Sequence, residues 1–197
     1  AQEVPGITGL AHMFEHMAFK GTPRLGTKDY AKEKVALEEL EAAYQAYENA
    51  RASNTPDPAE VERLQKVFKE KQDAAQAFVV SNAFDEAVSR QGGVGLNAST
   101  SAEATTYYYS LPANKFELFA YLESERFLHP VFREFYKERD VVMEERRQRT
   151  ESQPIGKLIE RMLATAFLAH PYKQPTVGYM SDLQRFTMTD AEQFFRK

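Results

Sequence analysis

One short stretch, His12-Met13-Phe14-Glu15-His16, constrains the fold of this chain more than any other part of it. Apolar residues recur around it at helical spacing, which predicts one short helix within residues 6–19 and makes Thr8 its expected N-cap. Residues four apart on a helix stand one turn above each other, so His12 and His16 present their imidazoles to a common region. Burying imidazoles without partners costs several kcal/mol, so the pattern indicates that His12 and His16 have a common binding partner.

Two imidazoles at this spacing are typical of a divalent-metal site. Zn²⁺ is held by neutral imidazole nitrogens at about 2.0 to 2.1 Å and by a third protein ligand, and a catalytic site leaves one position open for water. The Glu15 carboxylate flanks the same helix face and can take a proton from a water that the metal activates. This order of residues is the H-x-x-E-H motif of inverzincins. The chain has no cysteine, so histidine and carboxylate are the metal ligands available to it.

The composition indicates one globular domain. The 197 residues are 43% hydrophobic and 12% aromatic, and no apolar run reaches the roughly 18 residues that a membrane span requires. The whole net charge of −4 comes from residues 31–90, which hold 8 basic and 12 acidic side chains. Nothing in this distribution resembles the basic surface of a nucleic-acid-binding protein. We therefore expect neither a membrane span nor a nucleic-acid partner.

Residues 27–90, which we call the acidic arm, predict a helical hairpin. A long helix is expected from Thr27 to about Ser53, and the prolines within residues 54–58 must end it. A second helix is expected from about Ala59 to Arg90, antiparallel to the first. A solvated structural spacer is the favoured role of the arm, and a surface that binds a partner or fences the substrate is the alternative.

The rest of the chain predicts two strands followed by helices. The expected strands are 96–100 and 105–111, and the main helices that follow are 114–128, 135–148 and 154–169. Glu138 and Glu145 lie seven residues apart on the second of these helices. They share a face but stand about 10 Å apart along the axis, so only one of them can easily bind a given metal ion.

Four stretches together resemble the pitrilysin or insulinase (M16) family of zinc metallopeptidases, which includes mitochondrial processing peptidase. They follow the family's order and cover nearly the whole chain outside the acidic arm: Gly9–Thr22, Leu96–Ser101 with Thr105 and Tyr107-Tyr108, Glu138–Glu145, and His170–Tyr172 with Gly178. The resemblance implies an α+β fold with helices packed on one face of an antiparallel sheet. It also implies a single partial metallopeptidase domain over residues 1–197, incomplete at both ends, with the acidic arm as an insertion.

The resemblance implies a role for each residue of the metal site. His12, His16 and Glu145 would hold one zinc ion per chain, and Glu15 would be the general base. Glu138 would be a second carboxylate of the catalytic machinery that supports the ligands without joining them. The implied activity is hydrolysis of peptide bonds in extended or unfolded peptides.

The same resemblance implies how substrate and partners bind. Asn97 and Ala98 would lie on an edge strand that binds an extended peptide through its backbone. A homologous second half or partner subunit would close over that peptide, so the fragment alone is expected to have little activity. The acidic arm is longer than the family pattern requires and resembles an insertion of some bacterial members. On this basis we expect a periplasmic or exported protein, with a cytoplasmic one as the alternative.

Other functions are compatible with parts of the pattern. A catalytically silent structural or regulatory subunit of the same fold is one, although such subunits usually lose members of the motif that are intact here. A zinc-stabilised interaction module that uses the acidic arm is another. S-ribosylhomocysteine lyase shares the H-x-x-E-H motif, but its third metal ligand is a cysteine, which this chain lacks.

Overall fold

The computed structural model describes residues 3–196. These residues fold into helices, one two-stranded antiparallel sheet and the loops that connect them. The elements are α1 Leu10–Met17, α2 Tyr30–Arg51, α3 Pro58–Gln76, α4 Ala83–Ser89, β1 Val94–Thr100, β2 Thr105–Ser110, α5 Phe116–Leu128, α6 Phe135–Arg146, α7 Pro154–Ala166, α8 Met180–Leu183 and α9 Met188–Phe195. The predicted α+β class is confirmed. Residues 1, 2 and 197 of the predicted domain lie outside the described part. In residues 3–196 no helix combines the length and apolarity needed to cross a bilayer.

The main core is built around one face of α1. Met13 and Met17 are fully buried there, against Leu40 of α2, Phe135 of α6 and Leu183 of α8. Full burial of a side chain of this size stabilises the fold by about 1.5 to 3 kcal/mol. Apolar contacts with α2, α6 and α8 therefore hold the short helix in place.

The acidic arm is anchored in the same core. Asp29 and Asp57 cap its two helices by accepting hydrogen bonds from backbone N–H groups in the first turns. The ring of Tyr44 is fully buried, with its centroid 5.2 Å from that of Phe68 on the second arm helix and 4.1 Å from that of Tyr136 on α6. These aromatic contacts join the arm's two helices to the body of the protein.

The second helix of the arm is shorter than predicted, because it ends at Gln76 rather than at Arg90. Beyond it the chain becomes extended, and the Val80 N–H donates to the Gly26 carbonyl at 3.0 Å. Asn82 then adopts a left-handed conformation before α4 begins. The chain leaves the helix because it pairs with the start of the arm, a contact that local periodicity cannot reveal.

The N-terminus of α1 also differs from the prediction. The cap residue is Gly9, with φ of +88°, and the Thr8 hydroxyl instead donates to Asp182 Oδ2 at 2.7 Å. The carboxylate of Glu3 accepts hydrogen bonds from the N–H groups of Gly9 and Ala11 at 2.9 and 2.7 Å. A preceding acidic side chain thus satisfies the free donors of the first turn, which releases Thr8 to join α8.

Candidate metal centre

The two histidines of α1 face Glu145 of α6. His12 Nε2 lies 3.6 Å and His16 Nε2 3.5 Å from the same oxygen, Glu145 Oε2. One ligand atom from each of the three residues can be chosen so that all lie within 4.8 Å of one another. Packing of α1 against α6 therefore brings together residues that are far apart in the sequence.

The Glu145 carboxylate is held from its other side. Its second oxygen, Oε1, lies 2.5 Å from Arg149 Nη1, and Arg149 lies in a π-helical turn that follows α6. The buried Arg146 guanidinium anchors this end of the helix by donating to the Gly178 carbonyl at 2.6 Å. Glu144 is exposed, pairs with Arg147 and does not belong to the three-residue cluster.

Burial shapes the electrostatics of His12. Loss of hydration is the largest influence, and it lowers the pKa of His12 despite the opposing charge of Glu145. The ring is therefore neutral near pH 7, which is the form that can offer a lone pair to a cation. Its Nδ1 atom is buried and has no hydrogen-bond partner within residues 3–196. Nε2 is the nitrogen of this ring that faces Glu145.

Glu138 lies behind His16, on the side of the ring away from Glu145. Its Oε2 is 3.3 Å from His16 Nδ1, and its Oε1 is 2.6 Å from Lys20 Nζ. Burial by itself would raise the pKa of Glu138, but hydrogen bonds to His16 and Lys20 outweigh it and lower the pKa to about 2. Glu138 and Glu145 thus contact the same imidazole through opposite nitrogens, and only Glu145 belongs to the three-residue cluster.

Glu15 lies on the open side of the pair of histidines. It is half-buried, and its Oε2 accepts a hydrogen bond from the hydroxyl of Thr100 at the end of β1. The Thr100 hydroxyl also lies 3.0 Å from that of Thr105 on the neighbouring strand. The hairpin therefore fixes the orientation of the Glu15 carboxylate.

Asn97 and Ala98 lie on β1 and line a cleft of about 740 Å³ together with His12, Glu15 and His16. They pair with Tyr108 and Tyr107 of β2, respectively, and within residues 3–196 the other edge of β1 has no strand partner. At the turn, the Ser101 N–H donates to the Ala104 carbonyl. Hydrogen-bonded and non-hydrogen-bonded pairs alternate along antiparallel strands, so the N–H and C=O groups of Ala98 point to that open edge. Asn97 Oδ1 accepts the Ala98 N–H at 2.9 Å.

Three residues of this site were not predicted from the sequence: Lys20, Thr100 and Arg149. Lys20 and Arg149 each follow a cluster residue by four positions, so helical spacing was an available signal for both. Thr100 lies two residues beyond Ala98 and therefore on the same face of the strand, which was the corresponding signal for the hairpin.

Comparison with known proteins supports the resemblance found in the sequence. The sequence model of the insulinase family (peptidase family M16) matches residues 78–179, about half of the chain. The zinc protease PqqE of Helicobacter pylori (strain ATCC 700392 / 26695) is 44% identical over 115 residues, which cover 56% of this chain and 25% of that protein. The crystal structure of a protease from Helicobacter pylori matches 98% of this chain and 34% of its own, with a TM-score of 0.65 and 30% identity.

The chain thus spans about a quarter to a third of the length of these relatives. The family match begins near the end of the acidic arm and includes β1, β2 and α6, which carry Asn97, Ala98 and Glu145. The structural match extends over nearly all of the chain, including α1. This chain therefore belongs to the insulinase family, peptidase family M16.

Proposed function

We propose that this chain carries the catalytic site of a zinc-dependent endopeptidase that hydrolyses extended or unfolded peptides. The observation that carries the proposal is the convergence of His12, His16 and Glu145 in a cleft that the free edge of β1 also lines. The name of the Helicobacter pylori relative, a zinc protease, points to the same chemistry.

The separations of the Glu145 carboxylate from the two imidazoles fit zinc. Ligand atoms at about 2.0 to 2.2 Å around a tetrahedral ion stand roughly 3.3 to 3.6 Å apart. The distances from Glu145 Oε2 to the two imidazole nitrogens, 3.6 and 3.5 Å, fall in or next to that range. Two imidazoles and one carboxylate make a donor set that suits a single zinc ion per chain and leaves a position open.

Each residue around the ion has a distinct part in the reaction. Zinc, when bound, polarises the scissile carbonyl and acidifies water. Glu15 accepts a proton from the attacking water and then delivers it to the amine that leaves. The hydroxyl of Thr100 orients the Glu15 carboxylate, and Glu138 holds the Nδ1 side of His16 so that Nε2 faces the ligand cluster.

The edge of β1 supplies a place for the substrate. An extended peptide can pair with the outward carbonyl of Ala98 and the outward backbone groups of Thr100 and so lie across the cleft beside Glu15. Such pairing favours unfolded or extended segments, because residues within a helix or a central strand have already paired their backbone groups. The cleft is open on one side, and we propose that a homologous second half or partner subunit covers the bound peptide and excludes water.

The proposal is tested with the whole natural protein and its Glu15→Gln variant on a quenched peptide library. We expect about one zinc per chain in both proteins and chelator-sensitive cleavage by the natural protein. The variant should lose about 100- to 10,000-fold in kcat, the range for a general base, while keeping its zinc. Restoring zinc to chelated natural protein should restore cleavage.

Two outcomes would contradict the proposal. Turnover in the Glu15→Gln variant at the natural rate would remove Glu15 from its role. A natural protein that binds zinc but cleaves no peptide would favour the catalytically silent subunit instead.

A further inference from the structure

We propose that Lys20 is a positioning residue of the zinc site, which acts by holding Glu138 against His16. The proposal rests on the proposed zinc site and adds a residue outside the H-x-x-E-H motif. Lys20 lies one helical turn beyond His16, just after the end of α1.

The Lys20 ammonium forms ion pairs with two carboxylates, those of Glu138 and Glu134. Its Nζ lies 2.6 Å from Glu138 Oε1 and 3.1 Å from Glu134 Oε2. All three side chains are mostly buried, with 21%, 13% and 6% of Lys20, Glu138 and Glu134 exposed. Water therefore screens these pairs much less than it screens a surface ion pair.

The two oxygens of Glu138 have different partners. Oε1 forms an ion pair with the Lys20 ammonium, whereas Oε2 faces His16 Nδ1 at 3.3 Å. Lys20 thus sets the rotation of the carboxylate that contacts the imidazole. Without Lys20, one buried oxygen would lose its charged partner, and the carboxylate could turn towards other donors. His16 would then lose the contact that orients its Nε2 towards Glu145.

The backbone of Lys20 is held in place by a hydrogen bond from Arg133. The Arg133 guanidinium donates to the Lys20 carbonyl from Nη1 at 2.6 Å. The same guanidinium forms a buried, two-bond pair with Glu33, in the first turn of α2, at 2.7 and 2.9 Å. Gly26 makes room for it, since a Cβ at that position would lie 2.7 Å from Nη1. One arginine therefore connects the base of the acidic arm to the residue that holds Glu138.

The experiment compares zinc affinity in the whole natural protein, in Lys20→Met and in Lys137→Met. Lys137 is the matched control, because its Nζ pairs with Glu134 at 3.0 Å rather than with Glu138, and its side chain is more exposed. Affinity is measured by competition with a chelator. Loss of a residue that orients a ligand typically costs 10- to 100-fold in metal affinity. We expect about a 10-fold loss for Lys20→Met and less than a 2-fold change for Lys137→Met.

Two further readouts distinguish positioning from general stability. The absorption spectrum of the cobalt-substituted protein should change in Lys20→Met and not in Lys137→Met, since it reports the geometry of the ligands. Adding Lys20→Met to Glu138→Gln should cost no further zinc affinity, because both changes remove the same contact. Should the methionine variant fail to fold when free of metal, Lys20→Gln replaces it with the same expectations.

The outcomes separate this inference from the proposed function. Natural zinc affinity and an unchanged cobalt spectrum in Lys20→Met would overturn the role of Lys20 and leave the peptidase proposal intact. Fully additive losses in the double variant would overturn it as well. If the natural protein bound no zinc at His12, His16 and Glu145, the proposed function would fail and this inference would fail with it.

Discussion

Each glutamate around the two imidazoles has its own donor. Glu15 accepts from Thr100, Glu138 from Lys20, and the outer oxygen of Glu145 from Arg149. Separate donors hold the three carboxylates in different orientations around the same pair of histidines.

At the scale of single residues, Glu145→Gln should weaken zinc binding by about 100-fold or more, at least the loss expected for disturbing a ligand's support. An amide is a poorer ligand than a carboxylate and carries no charge to offset that of the ion. Chelator competition measures the loss. Glu144→Gln is the control, because Glu144 is exposed and pairs with Arg147. We expect that control to bind zinc within about 2-fold of the natural protein. Equal losses in both variants would contradict the assignment of Glu145.

Among the elements, the acidic arm is joined to the body by contacts of unequal strength. The Glu33 and Arg133 side chains are 0% and 1% exposed, and they are connected by two hydrogen bonds. By contrast, Glu39 and Lys71 form an exposed pair between the two arm helices. Buried pairs are costly to break because the remaining charge loses its partner, whereas exposed pairs contribute little.

Glu33→Gln should therefore lower the free energy of unfolding by about 3 to 5 kcal/mol. Glu39→Gln, on the same helix, should change it by less than about 1 kcal/mol. Denaturant unfolding followed by circular dichroism measures both changes. Similar small effects in the two variants would mean that the arm is not anchored through Arg133.

At the scale of the whole molecule, Asp182 of α8 connects the C-terminal part of the described chain to the residues that precede α1. Its Oδ2 accepts from the N–H groups of Gly6 and Thr8, both at 3.1 Å, and from the Thr8 hydroxyl. Partial burial by itself would raise the pKa of Asp182, but these hydrogen bonds outweigh it and lower the pKa. The folded state thus binds a proton at Asp182 less readily than the unfolded state does.

The sign of the pH dependence follows from that difference. Asp182 contributes stability fully above its unfolded-state pKa of about 3.9, and the contribution is lost as the pH falls through the lower folded-state pKa. Asp182→Ala should cost about 1 to 3 kcal/mol at pH 7, and its unfolding curve should approach that of the natural protein in acid. The exposed Asp73→Ala is the control and should stay within about 0.5 kcal/mol. A cost for Asp182→Ala that is independent of pH would contradict this account.

Much of the architecture could be predicted from local patterns. The helix of His12 and His16, the first arm helix, the hairpin of β1 and β2 and the helix of Glu145 all follow from periodicity and turn residues. The errors lie where a distant contact replaced a local one. Thr8 was expected to cap α1, but Gly9 is the N-cap residue and the Glu3 carboxylate accepts hydrogen bonds from the N–H groups of Gly9 and Ala11. The second arm helix was expected to continue, but the chain turns to pair with Gly26.

The spacing of His12, Glu15 and His16 specified the face of the proposed metal site without any tertiary information, because one turn of helix places them together wherever that helix lies. The third member of the cluster is different. Glu145 reaches the imidazoles because apolar packing presses α1 against α6, and sequence spacing carries no measure of that approach. The support that Lys20 gives to Glu138 and Thr100 gives to Glu15 likewise depends on how helices and hairpin fit together, whereas Arg149 reaches Glu145 from one turn away along the same helical stretch. Hydrogen bonds and ion pairs act over a few ångströms, so such partners are chosen only once the chain has folded.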